Sequence, residues 1–486
     1  VKSNLVQTVA RRAAVERAPF LTLAFRLARC NVLWAVLLFG FLGAAHGTPP
    51  NVIVIVADDL GYGDLACYGH PKFQTPHLDR MAAEGARLTH FNTPIPFCAP
   101  TRAALLTGRY PFRCGMPGNP APDGGPAADR AHLPETEITL GQLFARAGYA
   151  TAAIGKWHLG HARPEWLPTR RGFHSYFGIP YSNDMRPVRL YEGEHVLDEF
   201  PVEQALLTER YTERAVAFIE QNQARPFFLY LPHTMPHKPL AVSKRFEGRT
   251  GLGLYGDVIA ELDDAVGQIF RKLEALRLDQ KTLVVFTSDN GPWYGGNTAG
   301  LRGMKGSTYE GGMRVPCIAR WPGRIPAGIV NAELGVTMDI FATVLKAAEI
   351  VAPQDRVIDG RDLMPLFISA EAKSPHPAVV AGQGATLSAV RDSRWKLHVL
   401  PAKDPFLGAT KKGGVWTDPR GPDGKDILAP LGQPQPDKYP GVRGGAEPGA
   451  MQLFDLHGDP GEQVDVASKN PEVVESLKGL FDQMTR

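Results

Sequence analysis

Asn51-Val-Ile-Val-Ile-Val-Ala57 runs without a break into Asp58-Asp59, and this stretch decides the fold. Val and Ile are stiff at χ1 and favour extended backbone. An apolar run with no polar alternation suits a strand covered on both faces, as parallel strands are. Downstream the same order repeats. The sequence predicts a helix over 139–147, stopped by Gly148, and then a strand over 149–154. It predicts a helix capped by Thr208 whose Tyr211, Ala215, Phe218 and Ile219 share a face, followed by a strand over 226–231. A long helix over 255–276 then leads to a strand over 282–287. Strand, helix and strand in succession imply an α/β domain with a large, mostly parallel sheet flanked by helices.

Two of these strands end in acids. The first runs into Asp58-Asp59 and the later one into Asp289-Asn290. Open α/β sheets bind ligands at the carboxyl ends of their strands, so if the two are neighbours, three carboxylates and an amide converge. Such a hard-oxygen set suits calcium or magnesium better than zinc, which prefers histidine and thiolate. Taken singly, Asp-Asp-Leu-Gly and Asp-Asn-Gly are also ordinary turn sequences.

Phe97-Cys98-Ala99-Pro100-Thr101-Arg102-Ala103-Ala104-Leu105-Leu106-Thr107-Gly108 sets a cysteine at the mouth of a helix. Pro100 suits a first turn, the Ala and Leu residues are strong helix formers, and Gly108 is a stop. The helix is expected to begin within two residues of Cys98 and to offer free backbone N–H groups as an anion site, with Arg102 one turn on. A lone cysteine is ordinarily a core residue. The loop chemistry of Asn92-Thr93-Pro94-Ile95-Pro96 and the nearby cation point instead to a reactive position.

A chain of 486 residues, 44% hydrophobic, can bury a large core. Its net charge of +3 is too near balance to imply nucleic acid, and no basic run is interleaved with aromatics. Cys30, Cys67, Cys98, Cys114 and Cys317 give neither a zinc pattern nor a disulfide framework. Arg11, Arg12, Arg17, Arg26 and Arg29 precede an apolar run over 31–45, and Ala45-His46-Gly47 offers small residues for cleavage. Residues 1–47 therefore read as a leader and signal peptide, implying a periplasmic, secreted or lumenal protein. The long leader places the expected initiation site after Val1. The apolar run is short against the ~20 residues of a membrane span, so no stable span is expected.

Several motifs occur in one order: Asp58-Asp59-Leu60-Gly61-Tyr62-Gly63-Asp64, the Cys98 segment, Gly155-Lys156-Trp157-His158-Leu159-Gly160, Arg171-Gly172-Phe173, Pro232-His233-Thr234-Met235-Pro236-His237-Lys238-Pro239, Ser288-Asp289-Asn290-Gly291-Pro292 and Lys305-Gly306-Ser307-Thr308-Tyr309-Glu310-Gly311-Gly312. In this the chain resembles the type I, formylglycine-dependent sulfatases, and is similar to the arylsulfatase A and N-acetylgalactosamine-6-sulfatase branch. The resemblance implies an alkaline-phosphatase-like fold. It also implies that Cys98 is converted by a formylglycine-generating enzyme to formylglycine (3-oxoalanine), whose hydrate is the nucleophile.

By the same resemblance, Asp58, Asp59, Asp289 and Asn290 would hold one calcium ion together with an oxygen of the converted Cys98. Arg102 would stabilise the hydrate, and Lys156 and Lys305 would bind sulfate oxygens. His158 would be the base that breaks down the sulfated hydrate. His237 would lie by the ester oxygen, a role for which His233 competes, and either His237 or Lys305 would protonate the departing alcohol. Ser182 matches a further active-site serine. Two positions depart from the family pattern: Thr101, where serine is frequent, bears on how efficiently Cys98 is converted, and His174 replaces the usual aspartate of a local turn.

Beyond about residue 375 the character changes. Short strands over 378–381, 387–390 and 395–400, the segment Leu453-Phe-Asp-Leu-His-Gly-Asp-Pro460-Gly-Glu462, which resembles the family's C-terminal signature, and a helix over 472–484 predict a small antiparallel sheet packed on a terminal helix. The expected division is a leader (1–47), a catalytic domain (48–375) and a C-terminal subdomain (376–486). Long loops run over 115–134 and 404–449, and the second is expected to set specificity. Three functions fit: hydrolysis of aryl or carbohydrate sulfate esters, hydrolysis of phosphonate monoesters or phosphodiesters by the same superfamily's chemistry, or binding of sulfated sugars without catalysis.

Overall fold

The ten strands of the main sheet lie in the order β10-β2-β9-β8-β1-β7-β3-β4-β5-β6 in the computed structural model, which describes residues 49–199, 202–293, 296–403, 417–418, 427–428 and 445–485. In chain order these are β1 (Asn51–Ala57), β2 (Ala86–Asn92), β3 (Ala150–Ile154), β4 (Ser175–Gly178), β5 (Leu190–Glu192), β6 (His195–Asp198), β7 (Phe227–Pro232), β8 (Thr282–Ser288), β9 (Cys317–Arg320) and β10 (Ile329–Val336). The block β8-β1-β7-β3-β4 is parallel throughout. The sheet is therefore mixed but mainly parallel, because β9, β5 and β6 run antiparallel to their neighbours.

Every residue of β1 is buried, and its side chains divide by parity. Val52, Val54 and Val56 face a core shared with Leu105 and Leu106 of the Cys98–Thr107 helix, Phe144 of the Leu140–Arg146 helix, and Phe341 of the Asp339–Ala347 helix. Ile53 and Ile55 face the other core, with Tyr211 and Ile219 of the Leu207–Gln221 helix and Ile269 and Leu273 of the Gly253–Ala275 helix. Burying each such aliphatic side chain contributes roughly 1.5–3 kcal/mol. An ionised carboxylate at Val54 would be left unpaired between sheet and helices, at a cost of several kcal/mol.

Local signals explain most boundaries. Thr139 accepts from the Gln142 amide in a capping box, starting the helix that Gly148 follows at φ 84°. Gly108 ends the Cys98–Thr107 helix at φ 70°. The cap at Thr208 is not formed. A 3₁₀ turn, Gln204–Leu206, feeds directly into the helix, so Thr208 lies inside it and its carbonyl accepts from the Thr212 hydroxyl at 2.7 Å.

Four further strands, β11 (Val379–Gln383), β12 (Thr386–Arg391), β13 (Trp395–His398) and β16 (Gln452–Asp455), form an antiparallel sheet in that order. Leu477 of the terminal Pro471–Met484 helix packs on its Val380, Val390, Leu397 and Leu453. β14 (Thr417–Asp418) and β15 (Ile427–Leu428) pair with each other within the 404–449 loop, which otherwise lies mostly outside the described residues, as does the expected leader and signal peptide over 1–47. No helix among the described residues is long and apolar enough to cross a membrane.

Candidate active site

Four adjacent parallel strands deliver the site. Ala57 of β1 is in register with Ser288 of β8, so Asp58-Asp59 and Asp289-Asn290 leave the sheet side by side. β7, on the other flank of β1, ends in the segment carrying His233 and His237, and β3 beyond it ends in Gly155-Lys156. The turns are tied to one another. The Asp289 N–H donates to Ala57 at 3.2 Å, the Asp58 N–H to Met235 at 3.1 Å, the His233 N–H to Val56 at 2.8 Å and the Lys156 N–H to Pro232 at 2.7 Å. Gly155 (φ 126°) lets β3 leave beside β7, since a Cβ there would lie 1.8 Å from the Pro232 carbonyl oxygen.

Cys98 opens its helix and lies over these ends, 1% exposed, with Sγ 3.5 Å from Asp58 and 3.9 Å from Asp59. Lys305 Nζ donates to Asp59 at 2.8 Å and approaches Cys98 Sγ at 3.3 Å. Lys156 Nζ donates to Asp58 and, at 3.0 Å, to the Ser182 hydroxyl. Ser182 Oγ lies 3.5 Å from His237 Nε2, which stands 3.6 Å from Asp59. Carboxylate oxygens of Asp58 and Asp59, Cys98 Sγ and a ring nitrogen of His237 all fall within 4.8 Å of one another.

Arg102 is fully buried. Its Nε and Nη2 meet Asp289 at 2.8 and 2.7 Å, its Nη2 lies 3.6 Å from Asp58, and its Nη1 donates to the Lys156 carbonyl at 2.7 Å. It binds the acidic strand ends together. Asn290 Nδ2 donates to Asp59 at 2.6 Å, while its buried Oδ1 has no donor among the described residues. That orphaned oxygen, beside three converging carboxylates, is a donor set that fits a hard divalent cation.

The helix N-terminus is not the free anion site expected from sequence. The Ala99 N–H is taken at 3.0 Å by Asn119 Oδ1, Pro100 has no N–H, and the Thr101 N–H returns to Phe97. Positive charge comes instead from Lys156, Lys305 and Arg102. Three formal cations face the carboxylates of Asp58, Asp59 and Asp289. Burial raises the Asp59 and Asp289 carboxyls, with Lys305 opposing this at Asp59, and at Asp289 the Asp58 charge adds to it before Arg102 opposes. Burial lowers both ammoniums, but the neighbouring acidic groups, led by Asp58 for Lys156 and by Asp59 for Lys305, together outweigh it, so both stay charged. Burial also pushes the Cys98 thiol well up, leaving a neutral thiol and a poor nucleophile.

His158 is buried with φ 61°, a conformation uncommon outside glycine, as is Asp59 at φ 64°. Strain of this kind gathers where function dictates the backbone. His158 Nε2 lies 3.1 Å from the Pro120 carbonyl, so the proton belongs on Nε2, and Nδ1 is buried with a free lone pair. Burial first, then the Lys156 charge, holds its pKa well below the usual value. His233 stands away from this cluster, buried with neither ring nitrogen paired among the described residues, its ring 6.3 Å from that of Tyr211. His174 Nδ1 lies 2.6 Å from the Thr151 hydroxyl and the residue closes its turn locally.

Sequence reasoning missed Asn119 and Pro120, which reach the site from the 115–134 loop and carry no periodic signal. It also missed that His237 stands inside the group of possible cation ligands. The four described cysteines are free thiols.

The sulfatase family model matches residues 50–350. N-acetylgalactosamine-6-sulfatase of Canis lupus familiaris is 42% identical over 384 residues, covering 74% of this chain and 73% of that protein. Arylsulfatase A of Homo sapiens is 38% identical over 484 residues, covering 90% and 88%. Among solved structures, a sulfatase from Pseudoalteromonas sp. superposes with a TM-score of 0.73 at 26% identity, covering 92% of each chain.

Proposed function

We propose, from the premise that this chain belongs to the sulfatase family and is a sulfuric ester hydrolase, that it cleaves aryl or carbohydrate sulfates with Cys98 converted to formylglycine and one calcium ion bound. The observation that carries this reading is the convergence of Cys98, Lys156, Lys305, His237 and Ser182 on three carboxylates at adjacent strand ends. The sulfated carbohydrates implied by the relatives' names enter here as the proposed substrate class.

Charge explains the inventory. Three formal cations balance three carboxylates, so a divalent cation leaves an excess of two positive charges, which suits a transition state carrying two negative ones. Asp58, Asp59, Asp289 and Asn290 would hold calcium, which supplies fixed positive charge beside the sulfate oxygens. Converted, residue 98 would supply two hydroxyls on one carbon, one to attack sulfur and the other to expel sulfate.

The chain's own side chains do the rest. Lys156 and Lys305 bind sulfate oxygens, and Ser182 orients Lys156 and His237. His237, only 8% exposed, stands at the ester oxygen, where it or Lys305 delivers the proton to the leaving alcohol. His158, neutral across physiological pH, offers Nδ1 as the proton acceptor in the second step. The 1–47 leader directs export, and the catalytic and C-terminal parts divide near residue 375.

The test is turnover of an aryl sulfate and an aryl phosphodiester by protein expressed with a formylglycine-generating enzyme, with mass spectrometry of the tryptic peptide spanning Leu88 to Arg102. The expectation is conversion of Cys98 and faster release from the sulfate. Active protein whose peptide is wholly unmodified overturns the nucleophile; preference for the phosphodiester overturns the substrate class.

A further inference from the structure

Glu462 lies in the C-terminal signature, far along the chain from every residue assigned to the reaction, yet it is fully buried. Its backbone adopts φ 52°, a left-handed conformation that a non-glycine residue holds only when its surroundings insist. One carboxylate oxygen meets His398 Nε2 at 3.0 Å and Lys396 Nζ at 3.1 Å. The other accepts the Glu310 N–H at 2.5 Å. Its own carbonyl accepts from Arg302 Nη1 at 3.0 Å.

Arg302 and Glu310 bracket Lys305. The Gly311 N–H donates to the Arg302 carbonyl at 2.7 Å, closing the intervening loop at its neck. Glu462 therefore grips the neck on both sides, one side through its carbonyl and the other through its carboxylate. At the tip, the Lys305 N–H is held by Pro292 at 2.9 Å, and the Gly306 N–H by Pro96 at 3.0 Å. Gln383 of β11 donates to the Gly306 carbonyl at 2.6 Å. The neck is thus fastened to the C-terminal part through Glu462, and the tip both to that part through Gln383 and to the catalytic part through the Pro292 and Pro96 carbonyls. Glu310 in turn is held by Arg314 at 2.7 Å, Arg391 at 2.9 Å and Lys396 at 3.1 Å, so both carboxylates are held from several sides, while Arg314 Nη2, Arg391 Nη2 and His398 Nδ1 are left without a partner among the described residues.

We infer that Glu462 is a positioning residue for Lys305, through which the C-terminal subdomain sets the ammonium at the reacting sulfate. The inference rests on the reading of Lys305 as a sulfate-binding cation. It gives the C-terminal signature a role in turnover that its distance along the chain from Cys98 conceals.

The test is a double-mutant cycle on kcat/KM for an aryl sulfate, with Tm and conversion of Cys98 measured for each variant. Glu462→Gln turns an amide N–H₂ toward donors that need an acceptor, loosening the Glu310 side of the neck while the carbonyl's hold on Arg302 remains. A misplacement of about 1 Å can cost on the order of 100-fold in rate, so E462Q is expected to lose roughly 10- to 100-fold per folded, converted molecule. In a K305A background the same substitution is expected to cost less than about twofold, because the group it positions is gone. If E462Q does not fold, R302K enters the same cycle, removing the forked guanidinium from the neck while keeping its charge. Equal fold losses in both backgrounds, or an undiminished kcat/KM in E462Q, overturn the positioning role. Full activity of K305A by itself overturns the assignment of Lys305 and is read separately.

Discussion

Arg102→Met is the most direct probe of how the site is held together. The guanidinium is wholly excluded from solvent and meets Asp289 at 2.7 Å and Asp58 at 3.6 Å, both carboxylates being buried as well. Removing one partner of a buried pair costs about 3–5 kcal/mol, because the remaining charge is left without compensation. Solvent screening gives no relief at this depth. For a unit of this length the unfolding entropy is roughly 0.9 kcal/mol per degree, so the midpoint should fall by about 3–6 °C in the presence of a chelator. Calcium should then do more for the variant than for the parent. A cation site relieved of a neighbouring positive charge binds a divalent ion more tightly, and tighter binding to the folded state raises its stability. The assay is thermal unfolding of both proteins with chelator and with saturating calcium. A variant midpoint within 1 °C of the parent in chelator, or a calcium shift no larger than the parent's, would refute the reasoning.

Three further outcomes are expected. Chelation should abolish turnover and calcium restore it, and Asp58→Ala and Asp289→Ala should each lose about 100-fold or more; metal-independent activity in Asp289→Ala would remove the convergence of strand-end carboxylates from the mechanism. His158→Ala should release one equivalent of alcohol per converted Cys98 and then stall as a sulfated adduct, seen as a burst with no steady phase, and sustained turnover would exclude His158 from the second step. His233, lowered by burial to about 4, refuses in the folded state a proton that the unfolded chain accepts below about 6.5, so its contribution to stability is lost as pH falls from 6.5 to 4. His233→Leu should therefore lose up to about 3 kcal/mol less than the parent over that window, and parallel stability–pH curves for the two would contradict this.

What could be read from sequence was what has a short-range signature. β1 announces itself because a strand covered on both faces has no polar alternation, and its acidic ending stands out against that run. Gly108 and the Thr139–Gln142 box are legible because caps are local. Thr208 misled for the same reason: a threonine ahead of an apolar helical face looks like a cap, and nothing in the residues nearby says that the backbone is already wound by a preceding 3₁₀ turn. The expected anion site at the Cys98 helix failed on a long-range contact. Asn119 reaches the Ala99 N–H from a loop with no periodicity, just as the Pro120 carbonyl reaches His158. The family resemblance supplied Lys156, Ser182, His237 and Lys305; spacing alone would have left them as surface lysines and unassigned polar residues.

An acidic turn leaves a strand that is buried along its whole length, and energetics explain why. Three carboxylates and three cations in a solvent-excluded site cost several kcal/mol per ion in desolvation, which their mutual attraction offsets only when the geometry is tight. Tightness has to come from outside the charges. β1 supplies it, with a ladder on each edge, a packed core on each face, and side chains that each contribute roughly 1.5–3 kcal/mol on burial. Asp58 and Asp59 follow the last residue of that strand directly, so there is no flexible linker over which they could drift apart from Asp289. A loop could present the same residues, but not at fixed separations within 4 Å of Cys98, Lys156 and Lys305. The apolar run and the acidic pair are therefore parts of one device: the first makes the second affordable, and the second gives the strand end its chemistry.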